Sequence, residues 1–222
     1  MKNYIQNKNN LKKGNFISVS SINIVVKDEI EFDLKLPDLE STLRDLPSSF
    51  LKNVDYIMFG NFDFLRKKGY NASYMDGIIY VLNSQEKNYD VLDDIVHEIG
   101  HSVEEWQSEV IYGDGTLEKE FLQKRKTLNA EFKKEGIEIP EKIMRETEYN
   151  QSLDLFFSDE IGYPRMSTIS QGIFYSPYGA TSLREYFANG FEAYYYHKDL
   201  YLKNVSPILF SKLEDLELGE IQ

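Results

Sequence analysis

The sequence predicts an α+β fold with a small N-terminal mixed sheet and a helical C-terminal part, on three observations. Alternating, β-branched stretches such as INIVV and IIYVL fall in the first third of the chain. After them, apolar residues recur every three or four positions, the period of a helix buried on one face. Strands therefore precede most of the helices instead of alternating with them, which is the α+β order.

The bulk composition fits one folded domain. The chain has 222 residues, 41% hydrophobic and 28% charged, enough to bury a core and too apolar to be disordered. Its formal charge of −12 excludes nucleic-acid binding through a broad cationic surface and repels anionic membranes. The absence of cysteine excludes disulfides, thiol nucleophiles and thiolate metal sites. The start, MKNYIQNKNNLKKGNF, is basic but no apolar core follows, so no secretory signal is visible. INIVV and IIYVL are too short to span a bilayer. A soluble monomer kept inside the cell is the expectation.

Residues 1–14, rich in Asn and Lys, are expected to be a flexible arm, and residues 15–222 a single domain. NFISVSSINIVVKDEIEFDLKL holds one or two strands, and DLESTLRDLPSSFLKNV a short helix stopping near Pro47. VDYIMFG is a strand, FDFLRKKGYNASYMDG is mostly loop, and residues 77–83 form another strand. That last strand is either an ordinary paired strand or an edge able to add an extended peptide.

The next helix is capped by Asp90, with Asp93 and Asp94 in its first turn, where the dipole favours acids. Val91, Leu92, Ile95, Ile99, Val103 and Trp106 mark its buried face. Residues 115–150 read as a helical insertion of charged amphipathic segments, and KRK at 124–126 as a solvated face. Residues 158–181 read as a long loop or irregular hairpin. SLREYFANGFEAYYYHKDLY is a helix with Ser182 as N-cap, and SPILFSKLEDLEL a final short helix.

One stretch carries chemistry. His97-Glu98-Ile99-Gly100-His101 fits H-E-x-x-H. Residues i and i+4 share a helix face with Cβ atoms about 5–6 Å apart, so two imidazoles can converge on one cation. Glu98 is turned roughly 100° from His97 and is placed to act as general base on a water held there. Catalytic zinc takes a third protein ligand and keeps an open position. A third histidine six residues after His101 is excluded, because Gln107 stands there. Carboxylates and His197 remain as candidates.

The segment SPYGATSLREYFANGFEAYYY, taken with H-E-x-x-H, resembles the anthrax lethal factor catalytic domain and the Pro-Pro endopeptidases. Those proteins pair the motif with an E-[FY]-F-A-x-x-F-x-x-Y helix and a tyrosine seven residues before its glutamate. Here the match runs through Glu185, Tyr186, Phe187, Ala188, Phe191 and Tyr194, with Tyr178 seven residues upstream. It covers roughly residues 77–106 and 171–200.

The resemblance implies a zincin-like metallopeptidase fold. It also implies a zinc-dependent endopeptidase (a hydrolase) acting on a peptide or protein substrate, with Zn2+ held by His97, His101 and Glu185. Glu98 would be the general base, and Tyr178 would donate to the oxyanion. Two departures stand out. Relatives place the third ligand much nearer the second histidine, an excess the 115–150 segment can supply. Relatives often carry a glutamate where this chain has Asn189, whose amide lacks the charge that raises imidazole basicity. Proline specificity does not carry over, because the loops that set it do not align.

Other readings stay open. Ser182-x-x-Glu185 also fits a capping box, in which case Glu192, seven residues further along the same face, becomes the ligand. His197 sits near a helix C-terminus, where a cation is favoured. Glu104 and Glu105 read as a solvated face, or one of them buttresses a ligand histidine. A zinc-stabilised peptide-binding or regulatory module without turnover is the alternative function.

Overall fold

The structure is a computed structural model, and it describes residues 11–85 and 88–219. The first ten residues of the expected arm lie outside the described residues. Residues 11–14 belong to the fold instead: Leu11 is buried, and the Gly14 N–H donates to the Val26 carbonyl at 2.8 Å. The chain forms two compact units, Met1–Val103 and Glu104–Gln222.

The first unit is built on a five-stranded mixed sheet. Its strands are β1 (Phe16–Val19), β2 (Ile22–Val26), β3 (Tyr56–Gly60), β4 (Ala72–Met75) and β5 (Ile78–Leu82), in the order β1-β2-β3-β5-β4. The flanking pairs are antiparallel, and β2–β3 and β3–β5 are parallel. Parallel neighbours need a crossover. Between β2 and β3 it is α1 (Leu36–Arg44), opened by a proline in its first turn.

The two hairpins turn on two residues each. Asp76 and Gly77 have φ of 47° and 82°, and Ser20 and Ser21 have 49° and 70°. Two positive φ values in a two-residue loop match the right-handed twist of the strands. Asp-Gly adopts this readily, whereas Ser-Ser does so at a steric cost. Strand alternation sends Ile22, Ile24, Ile57, Phe59, Ile79 and Val81 into the core. Phe62, Leu65 and Leu82 form a separate buried cluster, with Met58, Phe64, Tyr70 and Tyr80 packed on it.

One expectation for this unit is corrected, and one open alternative is resolved. The stretch expected as loop contains α2 (Asp63–Lys68), ended by Gly69 at φ 71°, and strand β4. Both are only four to six residues long, too short for a clear period. As a result β5 pairs on both sides and is an ordinary inner strand, and β4 is the edge.

Helix α3 (Asn88–Tyr112) starts two residues before the expected cap Asp90 and bends at Gln107, where φ is −107° and ψ is 15°. Val91, Ile95, Ile99 and Val103 are fully buried as expected. Trp106, at the bend, is 37% exposed, so the buried stripe ends before it.

The second unit is helical. After the end of α3 come α4 (Thr116–Lys134), α5 (Glu141–Met144), α6 (Gln151–Leu155), a π-turn (Phe156–Ile161) and α7 (Tyr163–Ile169). A 3₁₀ turn (Tyr178–Ala180), α8 (Leu183–Tyr195), α9 (Tyr201–Val205) and α10 (Pro207–Gly219) follow. Much of the expected loop at 158–181 is therefore short helix.

Helix α4, the first part of the segment expected to be an insertion, buries one face in the core of this unit. Leu117, Phe121, Leu128 and Phe132 of α4 are fully buried. Phe121 stacks against Tyr186 at 5.6 Å and Phe174 at 6.1 Å, and Phe132 against Phe157 at 5.8 Å. The reading of KRK as a solvated face holds for Lys126, which is exposed, and is overturned for the other two. Lys124 is 9% exposed and Arg125 0%, because main-chain carbonyls converge on both. Among the described residues no helix is long and apolar enough to cross a membrane.

Candidate metal centre

His97 and His101 stand one turn apart on α3, with ring centroids 4.9 Å apart and planes at 83°. Their turn is anchored from behind, because Val96, Ile99 and Val103 on the same helix are fully buried. Buried apolar residues on one side fix the rotation of the helix and so the direction of both rings. Glu98, between them, points to the sheet, and its Oε2 accepts the Tyr74 main-chain N–H at 2.6 Å.

Glu185 sits in the first turn of α8. Ser182, at φ −155° and ψ 167°, caps that helix, and its Oγ accepts the Glu185 N–H at 3.2 Å. This is one half of the expected capping box. The Glu185 carboxylate is also part of a metal-capable group, so the two roles use different atoms. Asn189 ties the helix to the preceding loop: its Nδ2 donates to the Glu185 carbonyl at 2.9 Å, and its Oδ1 accepts the Ser176 hydroxyl.

Tyr178 opens the 3₁₀ turn just before the cap. Its carbonyl accepts the Thr181 N–H at 3.0 Å and the Thr181 hydroxyl at 2.7 Å. Arg125 holds the far side of the same turn. Its Nε donates to the Ala180 carbonyl at 2.9 Å and its Nη2 to the Thr181 carbonyl at 3.3 Å. Its Nη1 reaches the Glu146 carbonyl at 2.5 Å. Burial pulls the Arg125 guanidinium down to about 10, so it stays charged at neutral pH. Lys124 donates to the Ile173 and Val205 carbonyls, both at 2.5 Å, and burial pulls its ammonium down to about 8.

Glu104 departs from the solvated-face reading. It is 5% exposed and accepts the Tyr112 hydroxyl at 2.7 Å and the Arg184 Nε at 2.9 Å. Burial, and then the adjacent Glu104 charge, push the Tyr112 phenol far above its ordinary range. Glu105 is exposed, as expected. His197, beyond the end of α8, meets Glu192 with Nε2 and Oε1 3.3 Å apart.

Two groups among the described residues could hold a metal ion, with one ligand atom per residue and all such atoms within 4.8 Å of one another. The first is His97, His101 and Glu185, the three residues the sequence reading selects. The second is Asp93, Glu192 and His197. Asp93 is the member the sequence reading did not weigh as a ligand, although it lies one turn before His97 on the same helical face.

No known protein family matches this chain, and neither a curated protein nor a solved structure matches it.

Proposed function

We propose that this protein is a zinc-dependent metalloendopeptidase with a zincin-like fold. The observation that carries the reading is the grouping of His97, His101 and Glu185 within 4.8 Å. Two neutral imidazoles and one carboxylate are the donor set of a hydrolytic zinc site, which keeps a fourth position open. Zinc held there would supply Lewis acidity toward a water and toward the scissile carbonyl.

The chain's own residues supply the rest. Glu98 takes the proton of the attacking water and passes it to the leaving amine. Tyr178 donates its phenolic hydrogen to the oxyanion that forms on the carbonyl. The turn that bears Tyr178 is fixed by Arg125 and Thr181, which suits a donor that must be in place before charge develops. The substrate is a peptide or protein.

Peptide-library cleavage by the purified, zinc-loaded protein tests the proposal. Cleavage at defined bonds, abolished by Glu98→Gln with zinc retained, is the expected result. A parent protein that binds zinc and cuts no peptide in the library would refute the peptidase reading.

A further inference from the structure

The amide of Tyr74 is in an unusual position for an edge strand. In the β4–β5 hairpin, the Leu82 N–H donates to the Asn71 carbonyl at 2.8 Å, and the register pairs Ser73 with Tyr80 and Met75 with Ile78. Antiparallel pairs alternate between hydrogen-bonded and non-hydrogen-bonded. Asn71, Ser73 and Met75 therefore point their main-chain groups toward β5, and Tyr74 points its own toward the open edge. Such an amide ordinarily meets water. This one donates to Glu98 Oε2 at 2.6 Å, a contact between residues 24 apart in sequence. Tyr74 is pinned at its other end too, since its hydroxyl donates to the Asn53 carbonyl at 3.2 Å.

A hydrogen bond from a main-chain amide to a carboxylate is charge-assisted, stronger than a neutral pair and directional. A strand amide is also among the least mobile donors a protein has. Glu98 extends from the same helical turn as His97 and His101 and could otherwise sample several rotamers.

We propose that the Tyr74 main-chain N–H is the positioning group for Glu98. It holds Oε2 at the sheet edge and so leaves Oε1 as the oxygen that receives the proton. The inference rests on the peptidase reading of Glu98. It assigns β4 a part in catalysis through its backbone, which no side-chain motif would reveal.

Proline at position 74 tests it, because it removes this N–H and no hydrogen bond of the β4–β5 ladder, and edge strands admit proline. Tyr74→Ala is the matched control, losing the side chain and keeping the amide. Expected for Tyr74→Pro is a kcat about tenfold below that of Tyr74→Ala, with KM and zinc content unchanged. Amide exchange supplies a readout that needs no turnover. Glu98→Ala should speed exchange at the Tyr74 N–H about tenfold, while exchange at Ser73 stays as it is.

A Tyr74→Pro protein matching Tyr74→Ala in kcat, or a Tyr74 amide indifferent to Glu98→Ala, would overturn the inference and leave the peptidase reading standing. A parent protein without cleavage overturns both. Should Tyr74→Pro fail to fold, the exchange measurement decides alone.

Discussion

Replacing Arg125 with Met puts the role of α4 to a quantitative test. The guanidinium is 0% exposed. It makes two short bonds, to Ala180 O at 2.9 Å and Glu146 O at 2.5 Å, and two longer ones, to Thr181 O at 3.3 Å and Ile143 O at 3.4 Å. Its carbon lies 5.1 Å from the centroid of the Phe121 ring. Methionine fills much of the same volume and offers no donor.

Each carbonyl of the two short bonds then loses its Arg125 donor, at about 1–3 kcal/mol apiece. Removing a buried cation returns part of that cost, because desolvation of the charge is relieved. The net expectation is a loss of about 2–4 kcal/mol in unfolding free energy. Urea denaturation followed by circular dichroism at pH 7 measures it, with Arg125→Lys expected between the parent and Met. Because two of the four carbonyls lie between Tyr178 and the Ser182 cap, cleavage should fall further than the unfolded fraction explains. An Arg125→Met protein within about 0.5 kcal/mol of the parent, the value for a solvated helix face, would refute this reasoning.

Lys124 predicts a pH effect. Its ammonium is pulled from 10.5 to about 8 by burial, so between these values the unfolded chain binds more protons than the folded one and stability rises with pH. The stability of the parent relative to Lys124→Met should rise from pH 8 to 10.5, and a flat difference would contradict the assignment. Gly190→Ala would set a methyl 2.8 Å from Leu209 Cγ, where α8 and α10 approach. A loss of about 1–3 kcal/mol is expected, and on a Leu209→Ala background the same change should cost little. Tyr178→Phe should lower kcat about 10²–10³-fold with zinc content unchanged, and a parental kcat would remove the residue from the oxyanion role.

The parts of the molecule that were readable in the sequence are those in which a period or a spacing encodes geometry. The strands around INIVV, YIMFG and IIYVL, the His97–His101 pair and the Ser182 cap all follow from local pattern. Only the resemblance links Glu185 to the two histidines, because no local rule joins residues 84 positions apart. What stayed hidden depends on long-range pairing.

Lys124 and Arg125 look like surface residues on a charged helix. The convergence of carbonyls 18 or more residues away in sequence, from Ile143 and Glu146 to Ile173, Ala180, Thr181 and Val205, makes burial tolerable. Glu104 is concealed for the same reason, its partner Arg184 lying 80 residues on. Strand β4 is four residues long, and its importance comes from its place at the sheet edge, which depends on topology. The bond from Tyr74 to Glu98 uses a main-chain amide, a group that every residue but proline carries and that no sequence pattern marks.

Metal content resolved by ligand variant decides whether His97, His101 and Glu185 hold one ion. One tightly bound zinc per chain is expected in the parent, with separate losses of affinity in His97→Ala, His101→Ala and Glu185→Gln, each read by competition with a chromophoric chelator. A Glu185→Gln protein that holds zinc as tightly as the parent, or a folded parent that takes up none, would contradict it.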